Sequence, residues 1–316
     1  MEMRKMFAIA GLLILVGIII VIVTLGTHKW SFVSSSGETV TAEYEFAGKI
    51  EDININVGTT NVVFEKSDNN KCKVVCVERE EEKHIVTEED GTLSIIYKDY
   101  RKWYQTVGIS FGPSLKVTVY LPEKEYRKLD VIASTGNVKI PGDFEFKEAN
   151  IAVSTGNVYY EASAKGIVNL SASTGNVFVK DIKASEMSVT TSTGRIEATG
   201  VELSKDLYLK VSTGRTELND VKCADFKSEG STGKFEADKL IASGNLNIKR
   251  STGNVRLENS DAFAAYIVTD TGDVSGSFLT EKVFITSSDT GRISVPKTIT
   301  GGRCEITTDT GNITFK

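Results

Sequence analysis

One tripeptide organises most of this chain. Ser-Thr-Gly or Asp-Thr-Gly occurs ten times, its glycines standing at Gly136, Gly156, Gly175, Gly194, Gly214, Gly233, Gly253, Gly272, Gly291 and Gly311. Successive glycines are 19 or 20 residues apart. A repeat of that length is one supersecondary unit. It cannot bury an apolar face alone, so neighbouring units must stack on each other.

Aligning the units on their glycine exposes columns of apolar residues. Two residues after it come Val138, Val158, Val177, Ile196, Thr216, Phe235, Val255, Val274, Ile293 and Ile313. Five before it stand Val131, Ile151, Leu170, Val189, Leu209, Ser228, Ile248, Ile267, Thr286 and Ile306. Apolar positions recur at intervals of two on both sides of the tripeptide, which is the strand period. Their parity changes across Thr-Gly, so a bend lies there, and glycine suits a positive φ at such a corner. A weaker apolar column falls seven after the glycine, at Ile182, Val201, Val221, Leu240 and Leu279. These features predict an all-β fold: a single-stranded parallel β-solenoid (β-helix) of about ten 19–20-residue coils over residues 129–316. An antiparallel meander of hairpins is the alternative, and the constant period with in-phase columns favours the solenoid.

Residues 38–128 read as a degenerate first coil with a β-hairpin cap. Ile53, Ile55 and Val57 precede Thr60, and Val62 and Phe64 follow, so Thr60 takes the glycine's place. Lys71–Val77, Leu93–Tyr97 and Leu115–Leu121 are strand-like, and Asp90-Gly91 signals a turn. Residues 78–83 are expected to form a charged turn, and 99–114 a loop. The chain stops soon after its last corner, which predicts an open edge on the C-terminal coil, covered by a partner, by a twofold copy in a homo-oligomer or by the envelope, or kept apart by local charge.

Ahead of this lies Phe7–Gly26, twenty residues without charge or proline. As a helix it would span about 30 Å, the thickness of a hydrocarbon core. Arg4 and Lys5 precede it, so residues 1–6 are expected in the cytoplasm, 7–26 as a transmembrane helix and 27–37 as a linker. A cleaved signal peptide is the rival, weakened by the segment's length and by the absence of an Ala-x-Ala site. The expected localisation is a single-pass protein of the cell membrane with its repeats outside the cytoplasm.

With these parts laid out, the chain resembles a bacterial family of unknown function built from tandem β-strand repeats, whose members carry the label of adhesins. The motifs that carry the resemblance are Ser134-Thr135-Gly136-Asn137-Val138, Ser154–Val158, Ser173–Val177 and Ser251–Val255. It implies an envelope protein, in some relatives one linked to envelope stress. It brings no functional residue, because the shared positions are structural.

Chemistry-bearing residues are sparse. Only His28 and His84 are histidines, and the net charge of −5 argues against nucleic acid as a partner. Cys72, Cys76, Cys223 and Cys304 have neither Cys-x-x-Cys spacing nor a partnering histidine, so they read as small buried hydrophobes, with no metal and no cofactor expected. Cys72 and Cys76 would be about 13 Å apart on one strand, too far for a disulfide. Asp270, Asp289 and Asp309 spell an aspartic-protease tripeptide, but they occupy a turn column that serine fills elsewhere. Calcium bound along that column is a second reading, set against solvated turn residues. Arg195, Arg215 and Lys234 follow the corner glycine in three successive coils, and Glu197, Glu217 and Glu236 follow two later. They are expected as outward rows, either a surface charge network or a dock for a charged wall polymer. Tyr159 and Phe178 fall on the same outward position, to stack on a sugar or to pack under the cap.

No catalytic constellation emerges. The expected function is a non-enzymatic, membrane-anchored scaffold or adhesin-like envelope protein, with envelope-stress sensing as one use. Its expected partners are the membrane, through the N-terminal helix, and a cell-wall polymer or envelope protein. The alternatives are a self-assembling structural β-helix polymer and, behind it, a polysaccharide-acting enzyme.

Overall fold

A computed structural model describes residues 33–34, 38–101, 109–110 and 114–316. The expected membrane helix at 7–26 lies outside the described residues. Among those described, no helix is long and apolar enough to cross a membrane. The chain divides into two units, Met1–Thr39 with Tyr100–Pro113, and Val40–Asp99 with Ser114–Lys316. In the first, Val33–Ser34 and Ile109–Ser110 form a short parallel ladder, so the expected linker and loop each contribute a strand.

The second unit is a parallel β-solenoid. Each coil runs up one strand, turns at its Thr-Gly corner and returns along a second strand. In the first strand Ile151 pairs with Val131 on one side and Leu170 on the other; in the second, Val158 pairs with Val138 and Val177. The register persists through Ile196, Thr216, Phe235, Val255 and Val274. Inward residues of every layer merge into one hydrophobic core, fully buried at Val138, Val158 and Val177.

Glycine is required at the corner for two reasons. Its φ is positive, 143° at Gly156 and 148° at Gly175, where L side chains are strained. A Cβ at Gly156 would also strike the carbonyl oxygen of Gly136, and one at Gly175 that of Gly156. The corner backbones are thus stacked too closely for any side chain. A second positive-φ column lies six residues further on, at Asp181, Gly200, Asp220, Lys239 and Asn259. Asp, Asn and Gly are the residues that tolerate that region best.

At both ends the spatial order departs from chain order. The Thr60 coil (Asp52–Lys66) is not outermost. Leu93 and Ile95 pair with Ile53 and Ile55, and Val117 and Val119 pair with Val62 and Phe64. Strands Thr92–Asp99 and Leu115–Leu121 therefore form a further, split coil on the outside, while the Gly136 coil covers the other side. At the far end the last coil in sequence is not last in space. Cys304 pairs with Ala265 on one side and Phe284 on the other, and Ile313 pairs with Val274 and Ile293. The Gly311 coil thus lies between the Gly272 and Gly291 coils, making twelve layers and a stack about 50 Å long at ~4.8 Å per layer.

This corrects the expectation of an open C-terminal coil. Ile313 and Phe315 are buried, and the edge that remains unpaired among the described residues belongs to Lys282–Thr290 in the Gly291 coil. Composition explains the swap. The two coils match at Phe284 with Cys304, Ser288 with Thr308 and Ile293 with Ile313, but the Gly291 coil offers Thr286 where the Gly311 coil offers Ile306, and it contains Pro296. Proline lacks an N–H and is confined to edges. Leu279 is a further correction. It is 63% exposed, because the register shifts after Leu257 so that Phe278 pairs with Ser260 and moves into Leu279's expected place.

Antiparallel strands close the other end. Cys72–Arg79 pairs with Leu115–Leu121, Glu82–Glu89 pairs with Thr92–Asp99, and Thr39–Phe46 adds to Cys72–Arg79. Asp90 and Gly91 both have positive φ at the hairpin turn, as Asp-Gly predicts. The charged segment 78–83 turns only at Glu80–Glu81; Glu78 and Glu82 lie within strands and are buried.

Candidate functional site

Three places gather the chain's chemistry: an outward stripe along the second strands, the interior of the cap, and one buried guanidinium.

The stripe has two adjacent columns. One begins with an amide ladder, in which the side-chain oxygen of Asn61 accepts from the backbone N–H of Asn137, Asn137 from Asn157, Asn157 from Asn176, and Asn176 from Arg195. It resumes at Asn254, Asp273 and Asn312. Between the two runs stand Arg195, Arg215 and Lys234. The neighbouring column holds Tyr159, Phe178, Glu197, Glu217 and Glu236 in register. The cations and anions pair: Arg195 lies 3.2 Å from Glu197 and 3.4 Å from Glu217, Arg215 lies 3.0 Å from Glu217, and Lys234 lies 2.5 Å from Glu236. Surface pairs of this kind each contribute little to stability. Their consequence is that the stripe is polar but nearly neutral, and an anionic polymer finds no uncompensated row.

Tyr159 and Phe178 stack with ring centroids 4.9 Å apart and planes 8° from parallel, and Arg195 covers Phe178 at 5.1 Å. The rings therefore spend their faces on each other and on a cation, and Phe178 offers no free face to a sugar. Tyr159 remains 36% exposed, and the ring contacts of the pair are with each other and with Arg195. Towards the Gly291 coil the stripe widens into an open groove of about 750 Å³, lined by Lys234, Glu236, Arg256, Asp273, Arg292 and Asn312 among others.

Asp270, Asp309 and Asp289 occupy the corners of consecutive layers and are exposed. Aspartic-protease chemistry needs two carboxylates sharing a proton between two lobes. A solvated ladder on one edge does not provide that, and these three do not gather as a metal-ligating group among the described residues.

The cap interior is the feature sequence reasoning missed. Where the glycine column ends, Thr60 takes the corner, and its hydroxyl lies 3.3 Å from Nε2 of His84. His84 Nδ1 is 3.2 Å from the Glu78 carboxylate, which also accepts the His84 backbone N–H at 2.8 Å and lies 3.3 Å from Lys83 Nζ. Tyr97 donates to Glu82 at 2.8 Å. Burial is the largest influence on His84 and holds its pKa below the usual histidine value, against the opposing pull of Glu78. Hydroxyl, imidazole and carboxylate in line is the order of a hydrolytic triad. Here Thr60 is 1% exposed and His84 3%, so no substrate reaches the hydroxyl. Cys76 joins the group: its sulfur, a Glu78 oxygen and a His84 nitrogen fall within 4.8 Å of one another. The expectation that no histidine partners a cysteine is corrected. The legible signal was Cys76-x-Glu78 on one face of a strand, with His84 across a short hairpin.

All four cysteines are free and buried, and burial pushes each thiol up to about 12. The third place is Arg250, in an inward column yet 2% exposed. Its guanidinium donates to Thr216 Oγ1 at 3.2 Å, Ser228 Oγ at 2.9 Å and the Lys249 carbonyl at 3.1 Å, and lies over Phe235. A Cβ on Gly230 would meet its Nη1 at 2.6 Å. Three irregularities of the apolar columns, Thr216, Ser228 and Gly230, thus serve one side chain.

Three solved structures to which the chain has a likeness are the following. A putative lipid binding protein from Parabacteroides distasonis is 17% identical, with 89% of this chain and 99% of that one covered and a TM-score of 0.48. A putative adhesin from Parabacteroides merdae is 15% identical, with 78% and 99% covered and a TM-score of 0.46. A putative adhesin from Bacteroides fragilis is 13% identical, with 89% and 98% covered and a TM-score of 0.36. No curated protein matches the chain. The family model described as Toastrack DUF4097 matches residues 50–316, which takes in the Thr60 coil, the cap strands from Cys72 onward and every repeat. With corner glycines, amide ladder and stacked coils all inside that span, the chain belongs to the Toastrack DUF4097 family.

Proposed function

We propose that this chain is a non-enzymatic, adhesin-like scaffold of the bacterial cell envelope, tethered by residues 7–26 with its N-terminus in the cytoplasm and its solenoid outside. One observation carries the reading: the thiols, the imidazole and Arg250 are sealed in the core, the stripe's Arg195, Arg215 and Lys234 are paired, and the exposed Asp270, Asp289 and Asp309 stand singly on separate layers. What remains exposed is a long ladder of amides, hydroxyls and compensated charges. Such a ladder suits extended contact with a polar polymer or another envelope protein, and suits catalysis poorly. Tyr159, Phe178, Arg195, Arg215 and Lys234 form the middle of that contact stripe, and the groove at Arg256 and Arg292 extends it. A tether that holds a surface ligand and one that reports envelope strain share this construction. Induction of the gene by wall-damaging antibiotics separates them.

The test of topology is labelling of intact cells with a membrane-impermeant amine reagent, followed by fractionation. The expected result is a membrane-associated chain whose repeat lysines are labelled. A fully protected repeat region overturns the proposal.

A second reading, self-assembly, is favoured by the unpaired Lys282–Thr290 edge, beside which Ile285 and Ile293 are exposed. Antiparallel strands close the opposite end, so this reading favours a twofold pair joined at the Gly291 coils over a filament, since a filament needs two different joinable ends. Sedimentation equilibrium decides it. A concentration-independent monomer removes the reading.

A further inference from the structure

We propose that Cys76, Glu78 and His84 form a binding site for a zinc-class divalent cation inside the cap. The inference is independent of the envelope function proposed above.

The donors are one sulfur, one carboxylate oxygen and one imidazole nitrogen, the mixed set that zinc accepts. All three residues are buried, and their ligand atoms lie within 4.8 Å of one another. Tetrahedral zinc with bonds of about 2.0–2.3 Å places its ligand atoms roughly 3.3–3.8 Å apart. The Glu78 oxygen and His84 Nδ1 already stand at 3.2 Å. Only the sulfur has to close in, by roughly 1–1.5 Å at most.

Charge and protons balance. The cation's two positive charges meet the Glu78 carboxylate and a Cys76 thiolate, so a buried dication is neutralised by two anions. Binding forms a metal–sulfur bond and releases the thiol proton to solvent. His84 binds through Nδ1 as the neutral tautomer that carries its proton on Nε2. That N–H then donates to Thr60 Oγ1, now at 3.3 Å, in the manner of the outer partners that orient metal-bound histidines. Lys83 stays on the other carboxylate oxygen. Water takes the fourth position. The site ties Cys72–Arg79 to Glu82–Glu89, two strands that share one bridging pair, Arg79 with Glu82, before diverging onto different faces of the split coil. Its effect is to clamp the cap.

The experiment uses full-length chain, purified and stripped with a chelator, then titrated with cobalt(II) and back-titrated with zinc(II). One equivalent of cobalt is expected to give a sulfur-to-cobalt charge-transfer band that zinc abolishes. Cys76→Ser is expected to lose the band, whereas Cys223→Ser and Cys304→Ser keep it. Thr60→Val is expected to weaken binding roughly tenfold. Because a cap variant can fail to fold, thermal melting of the unmodified chain is the second readout, and zinc is expected to raise its Tm. Absence of a thiolate–cobalt band in the unmodified chain overturns the proposal. So does a band that survives Cys76→Ser and disappears in another cysteine variant, or an unmodified Tm that zinc leaves unchanged.

Discussion

Arg250 shows what one side chain can impose on a periodic core. Burial pushes its guanidinium down to about 10, still far above neutral pH, so it remains charged among hydroxyls with no carboxylate among its hydrogen-bond partners. A buried charge is costly, and replacing it together with its polar partners by apolar residues is often stabilising. The combined change Arg250→Met, Ser228→Val, Thr216→Val is expected to raise stability by about 1–4 kcal/mol in urea unfolding. Arg250→Ala alone is expected to lower it by about 2–4 kcal/mol, because it leaves a void above Gly230 and two orphaned hydroxyls. The cysteines make a second residue-scale prediction. Cys223 and Cys304 are held as thiols up to about 12, against an ordinary value of 9.0. A raised acid pKa means that the unfolded chain loses these protons first. Stability is therefore expected to be complete below pH 9 and to fall as pH rises from 9 towards 12. Denaturation midpoints across that range check it, and Cys223→Ala with Cys304→Ala should reduce the slope, with Cys72 and Cys76 supplying part of what remains.

At the scale of the coil, the corner glycine fixes the layer spacing. Gly175→Ala would force a Cβ into the Gly156 carbonyl at a φ of 148°, and neither backbone can retreat without breaking the ladder. A loss of about 3 kcal/mol or more is expected. Gly142→Ala provides the contrast. Its Cβ would stand 3.4 Å from the Glu161 carbonyl, and its φ is not positive, so a change within about 1 kcal/mol is expected in the same assay. The corner was legible in sequence because ten copies repeat it. The second corner, at Asp181, Gly200, Asp220, Lys239 and Asn259, was harder to see, since several residue types satisfy one backbone conformation. The cap site was illegible for another reason. Residues 78–83 look like a solvated turn when judged by charge, and only pairing in space reveals that Glu78 faces inward towards His84.

For the whole molecule, the consequence of the swapped order is that each end of the repeat stack is interleaved. Among the described residues the Gly291 coil has one ladder partner, the Gly311 coil, which is itself laddered on both faces, and side-chain contacts from Lys282 to Asp261 and from Phe284 to Phe278 add to it. Deleting residues 302–316 therefore removes the ladder partner that the Gly291 coil has among the described residues. Limited proteolysis followed by mass spectrometry is expected to show that 279–301 become cleavable in the truncated chain while the coils up to Gly272 stay protected. Protection of 279–301 would mean that the Gly291 coil docks directly on the Gly272 coil and that chain order alone suffices.

Period, strand identity, inward columns and corner chemistry followed from the sequence, because each is a local rule repeated until chance is excluded. The stacking order of the terminal coils, the emergence of Leu279 and the convergence of Cys76, Glu78 and His84 were decided by tertiary structure. Those depend on which surfaces compete for the same core. A strand's side-chain pattern says that it must be covered, but all in-register parallel coils present nearly the same face. Choosing between them rests on differences in burial at a few positions, such as Ile306 against Thr286, that acquire meaning only when the layers are assembled.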